Sequence, residues 1–162
     1  MLVKLSVENY ALIDGLEMEL SPSLNIITGE TGAGKSILLG ALGLILGNRA
    51  DTAALKDNER NCVIEGTFDI SAYGIEDFFA DNDLEYDPHT IIRRVITPAG
   101  KSRAYINDLP AQLSTLKELS SRLLDIHSQH QSLMSGNERF RTGIVYSVAG
   151  NGALLTEYGT IY

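Results

Sequence analysis

The chain has 162 residues, a formal net charge of −8, 44% hydrophobic residues and 21% charged residues. This length and composition are ordinary for one globular domain with a hydrophobic core. The longest apolar run, residues 37–47, is too short to cross a bilayer, and the N-terminal residues lack the apolar core of a signal peptide. We therefore expect a cytoplasmic protein without membrane attachment. Its acidic charge argues against nucleic-acid binding through the overall electrostatic field.

The first part of the chain predicts three strands. Residues 2–8 and 16–20 alternate apolar and polar side chains, which is typical of half-buried strands. The pair Asp14-Gly15 favours a turn between them. Residues 24–27 form a short and mostly apolar run, which predicts a strand buried on both faces.

A helical segment follows at residues 35–46, which contain no proline and are apolar on nearly every side. This pattern predicts a helix buried between layers rather than one lying on a surface. Gly40 and Gly43 lower its helix propensity, but they permit close packing against a sheet. The pair Gly47-Asn48 is typical of a C-terminal stop.

The remaining elements are extended segments followed by helices. Leucine and isoleucine side chains at spacings of three and four predict an amphipathic helix over residues 113–127, with Ser114 as its N-cap. The tail after residue 132 keeps a helical period that several glycines weaken. The other predicted elements are a short helix at 74–82 and strands at 62–70, 90–97 and 101–106.

The single cysteine, Cys62, excludes an internal disulfide and a metal cage built from cysteines. It lies in the apolar run 62–64, so we interpret it as a small buried residue, with a catalytic role as the remote alternative. His127 and His130 share a helix face but lack a third ligand at a suitable spacing. We therefore do not expect them to hold a metal.

Four basic residues lie close together in sequence and could form a local basic patch despite the acidic total. Charge clusters are usually solvated surface, so we favour the interpretation that these side chains lie at exposed strand ends. They are Arg93, Arg94, Lys101 and Arg103.

A glycine-rich segment joins the predicted strand 24–27 to the predicted helix. It matches G-x-x-x-x-G-K-[ST], the pattern of phosphate-binding loops, in which backbone N–H groups turn inward around phosphates. In that pattern Lys35 reaches the β- and γ-phosphates, Ser36 supplies a hydroxyl to Mg²⁺, and the helix points its positive end at the anion. The alternative is a glycine-rich turn without a ligand. The segment comprises Gly29, Glu30, Thr31, Gly32, Ala33, Gly34, Lys35 and Ser36.

The motif alone does not choose between a kinase, a GTPase and an ATPase. Predicted strands fill much of residues 62–106 before the next long helix. A small nucleotide kinase would instead alternate strands and helices soon after the loop. It would also need a second substrate pocket and an acidic base, and the sequence indicates neither. A kinase is therefore the less favoured alternative.

The combination of five segments is a more specific signal of a protein family than the phosphate-binding loop alone. These segments are residues 8–13, 24–37, 47–51, 101–107 and 125–130. In these segments the chain resembles the N-terminal part of the RecN family, bacterial DNA-repair proteins related to the SMC ATPases. The family often has Phe where Tyr10 stands, and Gly where Asn107 and Ser128 stand. The resemblance implies an α/β fold, the N-terminal lobe of an ABC/SMC-type P-loop ATPase head with a mixed β-sheet and flanking helices. This lobe would span residues 1–132, and residues 133–162 would begin a coiled-coil arm.

The resemblance also implies roles for two residues outside the loop. Gln129 matches the glutamine-loop position, from which the amide touches Mg²⁺ and the attacking water. On the residues alone, Gln129 would be an exposed side chain at a helix end. Arg49 lies where related ATPases carry an arginine that approaches nucleotide or DNA. The alternative for Arg49 is a cation that complements the dipole at the C-terminal end of its helix.

Finally, the resemblance implies that this stretch is one part of an ATPase. The signature motif and the Walker B acidic pair would lie in a C-terminal lobe of the full-length chain, and Leu123-Leu124-Asp125 is a poor match to Walker B. The full-length protein would bind ATP and Mg²⁺, pair with a second head as a homodimer, and act on DNA in double-strand-break repair and recombination. It would be associated with the bacterial nucleoid. We expect the 162-residue chain to bind nucleotide and hydrolyse it poorly. The alternative is a nucleotide-gated assembly module without catalysis.

Overall fold

The computed structural model describes residues 1–28, 32–124 and 126. The chain divides into two compact units, Met1–Asp125 and Ile126–Tyr162, and every element described below belongs to the first. The predicted boundary between lobe and arm, and the predicted helical tail, lie outside the described residues. Within the described ranges, no helix is long and apolar enough to span a bilayer.

One antiparallel sheet is the main element of the described chain. Its strands are β1 (Leu2–Tyr10), β2 (Ile13–Glu19), β3 (Cys62–Asp69), β4 (His89–Ile96), β5 (Ser102–Ile106) and β6 (Leu109–Ala111). Their spatial order is β2-β1-β3-β4-β5-β6, and each neighbouring pair is antiparallel. The first five strands confirm the strands predicted at 2–8, 16–20, 62–70, 90–97 and 101–106, whereas β6 forms where no strand is predicted.

The α-helices of the described chain are α1 (Gly32–Ile45), α2 (Glu76–Asp81) and α3 (Leu113–Leu123), and a 3-10 helix spans Thr52–Ala54. The first of them approaches the sheet closely at Gly66 of β3, where an added methyl group would lie 2.8 Å from Ile45 Cδ1. The Ser120 hydroxyl of α3 donates a buried hydrogen bond of 3.1 Å to the Ile45 carbonyl. One face of α1 is therefore buried, but Leu38 and Leu42 are only partly buried. The expected burial between two layers is not found among the described residues.

One face of the sheet is buried and the other is polar. Alternate residues of β3 and β4 are buried, as the period of a half-buried strand requires. Most of them are apolar, but Arg94 is only 3% exposed and lies between the buried Ile92 and Ile96. On the opposite face Arg93 forms an ion pair of 3.7 Å with Glu65. A charged residue thus occupies a position that the alternation assigns to the core.

Residues 24–27 do not form the predicted buried strand. Leu24 and Ile26 are 79% and 76% exposed, and Ile27 is 51% exposed. A buried strand needs a neighbour for its backbone and cover for both faces, and this segment pairs with none of the described strands. The prediction is therefore wrong for the described chain, in which every strand pairing is antiparallel.

The turn predicted at Asp14-Gly15 is also wrong, because both residues lie inside β2. The chain reverses earlier, directly after β1, where Ala11 has a φ of 51°. Asn9, with a φ of 52°, fixes this bend by bonding to the distant Asp57. Its Oδ1 accepts a hydrogen bond of 2.7 Å from the Asp57 amide, and its Nδ2 donates one of 2.9 Å to the Asp57 carbonyl. A partner 48 residues away is invisible to local turn statistics.

Two details of α3 differ from the prediction. Its N-cap residue is Gln112, without a side-chain capping bond, and not Ser114. The helix ends at Leu123 because Leu124 is extended, with a φ of −149° and a ψ of 135°. The predicted continuation of the helix is therefore wrong at Leu124 and at Ile126, which are not helical, whereas residues 125 and 127 lie outside the described residues.

Candidate nucleotide-binding site

The phosphate-binding pattern leads into α1, which begins at Gly32. Gly34, Lys35 and Ser36 are exposed in the first turns of this helix. The first turn carries no acidic residue, so no fixed negative charge there opposes an anion. The N-terminal end of a helix carries a partial positive charge and unpaired N–H groups, which favour phosphate. Residues 29–31, with Gly29, Glu30 and Thr31, lie outside the described residues, as does the side chain of Ala33.

Close contacts at two glycines help to position α1. A methyl group at Gly40 would lie 2.6 Å from Tyr10 Oη, so glycine allows the helix to approach the end of β1. This confirms the packing role predicted for Gly40. A methyl group at Gly43 would instead lie 2.6 Å from Asn48 Nδ2, and Asn48 N donates a 2.8 Å hydrogen bond to the Gly43 carbonyl. Gly43 therefore serves the end of the helix rather than its contact with the sheet.

The end of α1 matches the predicted stop. Gly47 has a φ of 88°, a left-handed conformation that glycine adopts without strain. Its N–H donates a hydrogen bond of 3.1 Å to the Leu44 carbonyl. Contacts at Gly40 and at the C-terminal end therefore position α1, the helix that carries Lys35 and Ser36 in its first turns.

Two hydrogen bonds between Ser21 and Asn25 close the segment that precedes Thr28 and the loop. Asn25 Oδ1 accepts a 2.9 Å hydrogen bond from the Ser21 amide, and Asn25 Nδ2 donates one of 2.9 Å to the Ser21 carbonyl. The following apolar side chains, from Ile26 to Ile27, are exposed. The chain thus presents an extended apolar segment directly before the phosphate-binding pattern.

Arg49 lies beyond the C-terminal end of α1 and is exposed. It lines a cavity of about 730 Å³ together with Arg94, Arg103 and Lys117. The last turn of α1 contains no basic residue, so Arg49 lies outside it. This placement does not favour the alternative in which Arg49 complements the dipole at the C-terminal end of α1. The expected role of Arg49 towards nucleotide or DNA stays a prediction.

The four basic residues of the predicted patch have different environments. Lys101 and Arg103 are exposed, which agrees with solvated strand ends. Arg93 is partly exposed, forms an ion pair with Asp108, and lies over the Tyr105 ring at 5.5 Å. The interpretation is wrong for Arg94, which the sheet buries.

Cys62 is buried as predicted, and burial raises the pKa of its thiol from 9.0 to about 11. A thiol with that pKa stays protonated at neutral pH and is a poor nucleophile. Among the residues that the structure describes, no group of three or more His, Cys, Asp or Glu side chains could hold a metal ion. Gln129, His127 and His130 lie outside those residues.

Comparison with known proteins assigns the family. The family described as an AAA domain matches residues 4–147. The chain belongs to this family. DNA repair protein RecN of Vibrio cholerae is 37% identical over 156 residues, which are 96% of this chain and 28% of that protein. The chain is thus a homologue of DNA repair protein RecN, and it spans about a quarter of the length of the curated relatives that it matches.

Solved structures support the fold. An SMC head bound to the C-terminal winged-helix domain of ScpA has a TM-score of 0.59 at 18% identity, covering 75% of this chain and 40% of that one. A structure from a study of ATP-driven dimerization and DNA-stimulated activation of SMC ATPases has a TM-score of 0.59 at 15% identity. It covers 91% of this chain and 98% of that one. The predicted fold class, a lobe of an ABC/SMC-type P-loop ATPase head, is confirmed.

The sequence analysis did not predict the cavity beside Arg94. One signal could have indicated it: Arg94 falls on the apolar face of an alternating strand, between Ile92 and Ile96. No local pattern connects Arg94 with Lys117, which the fold brings to the same cavity from α3.

Proposed function

We propose that the chain is the ATP-binding lobe of an ATPase head that acts in DNA double-strand-break repair and recombination. The observation that supports this most directly is a phosphate-binding pattern whose Lys35 and Ser36 are exposed at the N-terminal end of α1, in a homologue of RecN. The relatives are named for DNA repair. Bound ATP and Mg²⁺ would be the cofactors, and the functional unit would include parts of the head beyond these 162 residues.

The proposed roles within the loop follow from its chemistry. Backbone N–H groups of residues 29–36 would surround the phosphates, and the Lys35 ammonium would bind the β- and γ-phosphate oxygens. The Ser36 hydroxyl would be a Mg²⁺ ligand, and the Gln129 amide would approach the same ion and the attacking water. Arg49 would approach the nucleotide or DNA. Mg²⁺ bound with the nucleotide neutralises charge that develops on the phosphates during transfer.

The exposure of residues 24–27 is an argument that a second lobe packs against this one. A run with Leu24, Ile26 and Ile27 on the surface has the composition of a buried strand and no neighbour among the described strands. We propose that a C-terminal lobe of the full-length chain covers it and brings the Walker B pair and signature motif. A second head in a homodimer would complete the nucleotide site, and residues 133–162 would begin the arm that joins the lobes.

We expect the 162-residue chain by itself to bind nucleotide but to turn it over slowly or not at all. Phosphoryl transfer requires a positioned nucleophile in addition to phosphate and metal binding. The acidic pair that would orient the attacking water belongs to the proposed C-terminal lobe.

The test compares Lys35→Ala with Lys56→Ala. Lys56 is a surface lysine with a long 3.8 Å ion pair to Asp14, so its loss changes the net charge equally without touching the loop. Titration of Mg-ATP in a calorimeter should show affinity reduced about 10- to 100-fold by Lys35→Ala, because a charge-assisted hydrogen bond is lost. Lys56→Ala should bind like the parent chain.

Two results would contradict the proposal. One is Mg-ATP binding that Lys35→Ala and Lys56→Ala leave equally strong. The other is ATP hydrolysis by the 162-residue chain at an ordinary enzyme rate of about 1 s⁻¹ or more that Lys35→Ala abolishes.

A further inference from the structure

A cavity of about 730 Å³ lies beside the C-terminal end of α1, where Gly47 forms part of its wall. Four basic side chains line it: Arg49, Arg94, Arg103 and Lys117. No aspartate or glutamate is among the lining residues. In a chain with a net charge of −8, four cations around one cavity without an acid are a local reversal of charge.

Arg94 is the most buried of the four basic side chains, at 3% exposure, whereas the other three are exposed. It is paired with Ile64 of β3 and Ala104 of β5 across the sheet, so its neighbours there are apolar. Its Nη2 donates a 2.6 Å hydrogen bond to the Ser102 hydroxyl, and its Nε has no hydrogen-bond partner. Among the described residues, no carboxylate lies within ion-pair distance of it.

A buried guanidinium without a counter-charge is unfavourable, because burial removes the water that stabilises the ion. This desolvation lowers the pKa of Arg94. Arginine nevertheless keeps its proton in proteins, so the positive charge persists in the core. No described residue supplies this counter-charge, and an anion that enters the cavity would do so.

The cavity is separate from the phosphate-binding loop. Lys35 and Ser36 lie in the first turns of α1, whereas Gly47 lies two residues beyond its last residue, Ile45. A helix of 14 residues is about 21 Å long. An anion beside Gly47 would therefore not be the phosphate that the loop holds.

We propose that this cavity binds a phosphate group, with Arg94 at its floor and the exposed Arg49 and Arg103 at its mouth. Planar guanidinium groups bind phosphate oxygens in pairs, and three of them with one lysine match a dianion or polyanion better than a single carboxylate. The volume is that of a small-molecule site. The phosphate would belong either to a free phosphorylated compound or to the end of a DNA strand.

The experiment uses the chain with Lys35→Ala, so that the loop does not compete for the probe. Inorganic pyrophosphate is titrated into it in a calorimeter at low salt, as the free source. A short single-stranded oligonucleotide with a 5′-phosphate, and the same oligonucleotide without it, represent the strand end. We expect pyrophosphate to bind, or the phosphorylated oligonucleotide to bind in preference to the other one, with a Kd below about 1 mM.

Three further substitutions locate the site. Arg103→Ala, at the exposed mouth, should weaken binding at least about tenfold, because it removes a charge-assisted hydrogen bond. Arg94→Met, which keeps a long apolar side chain in the core, should also weaken binding at least about tenfold. Without anion, its unfolding midpoint should equal or exceed that of the chain with Lys35→Ala alone. Lys101→Ala is the matched control, since Lys101 is exposed and nearby in sequence but does not line the cavity.

The proposal is overturned if neither probe binds, or if Lys101→Ala weakens binding as much as Arg103→Ala. It is also overturned if the oligonucleotides bind equally with and without the 5′-phosphate and pyrophosphate does not bind. Because Arg103 is exposed, its substitution decides the result even if Arg94→Met does not fold.

Discussion

Cys62 lies buried on β3 opposite Ile96 of β4, and burial raises the pKa of its thiol from 9.0 to about 11. The unfolded chain loses this proton near pH 9, while the folded chain keeps it until about pH 11. The stabilisation is therefore complete below pH 9 and is lost as the pH rises to 11. We predict that the free energy of unfolding falls over this range by about 2 kcal/mol through Cys62.

The measurement is urea unfolding at several pH values between 8 and 11, for the parent chain and for Cys62→Val. Tyrosines also ionise in this range, so the difference between the two chains isolates the thiol. The parent should lose stability more steeply than Cys62→Val above pH 9. Parallel pH profiles would show that the thiol ionises equally in the folded and unfolded chains.

Single residues were predictable only where their partners are local. Cys62 lies in an apolar run, and its burial follows from that run alone. Asn9 is buried because its side chain reaches the carbonyls of Asp57 and Arg60, both at 2.9 Å, and these partners are about fifty positions away. The burial of Arg94 depends on strands that flank β4 on both sides. No local pattern contains that information.

At the scale of elements, the alternating patterns of residues 2–8 and 16–20 identified β1 and β2, and the predicted strands 62–70, 90–97 and 101–106 correspond to β3, β4 and β5. The same reasoning failed at residues 24–27. An apolar run indicates that a segment is buried, but it does not identify the neighbouring element that buries it. The same reasoning also missed β6, which pairs with β5 through residues 109–111 including a proline. Proline is tolerated there because β6 is an edge strand of the described sheet.

The end of α1 gives a prediction at this scale. Gly47 has a φ of 88°, and a methyl group there would collide with the Lys117 side chain of α3. We predict that Gly47→Ala lowers the free energy of unfolding by about 1–2 kcal/mol, through left-handed strain and displacement of α3. Urea unfolding measures the loss.

Gly15→Ala is the control for this substitution. Gly15 lies in β2 with nothing within 4 Å of its added methyl group, and its φ is not in the left-handed region. Alanine there should leave stability unchanged within about 0.5 kcal/mol, as for most surface substitutions. Equal losses at both positions would mean that the conformation of Gly47 and its contact with α3 do not matter.

At the scale of the whole molecule, the sequence identified the class of fold because the phosphate-binding pattern requires a strand before it and a helix after it. The helix is present as α1, and the strand is present only as an exposed apolar segment. The motif assigns roles to Lys35 and Ser36, and those roles stay a prediction. The pairing of residues 24–27 was not predictable, because a strand pairing is a property of two segments and the described strands provide no neighbour for this one.

The last prediction concerns this exposed segment. In the 162-residue chain the amides of residues 24–28 make no backbone hydrogen bonds within the described structure, so they should exchange with solvent about as fast as in an unfolded peptide. The amides of β3 should be protected in the same sample, since they pair with strands on both sides. In a longer chain that includes the proposed C-terminal lobe, residues 24–28 should become protected as they pair in a sheet. Hydrogen exchange read by mass spectrometry on both chains tests this, and fast exchange of residues 24–28 in the longer chain would show that the second lobe does not cover them.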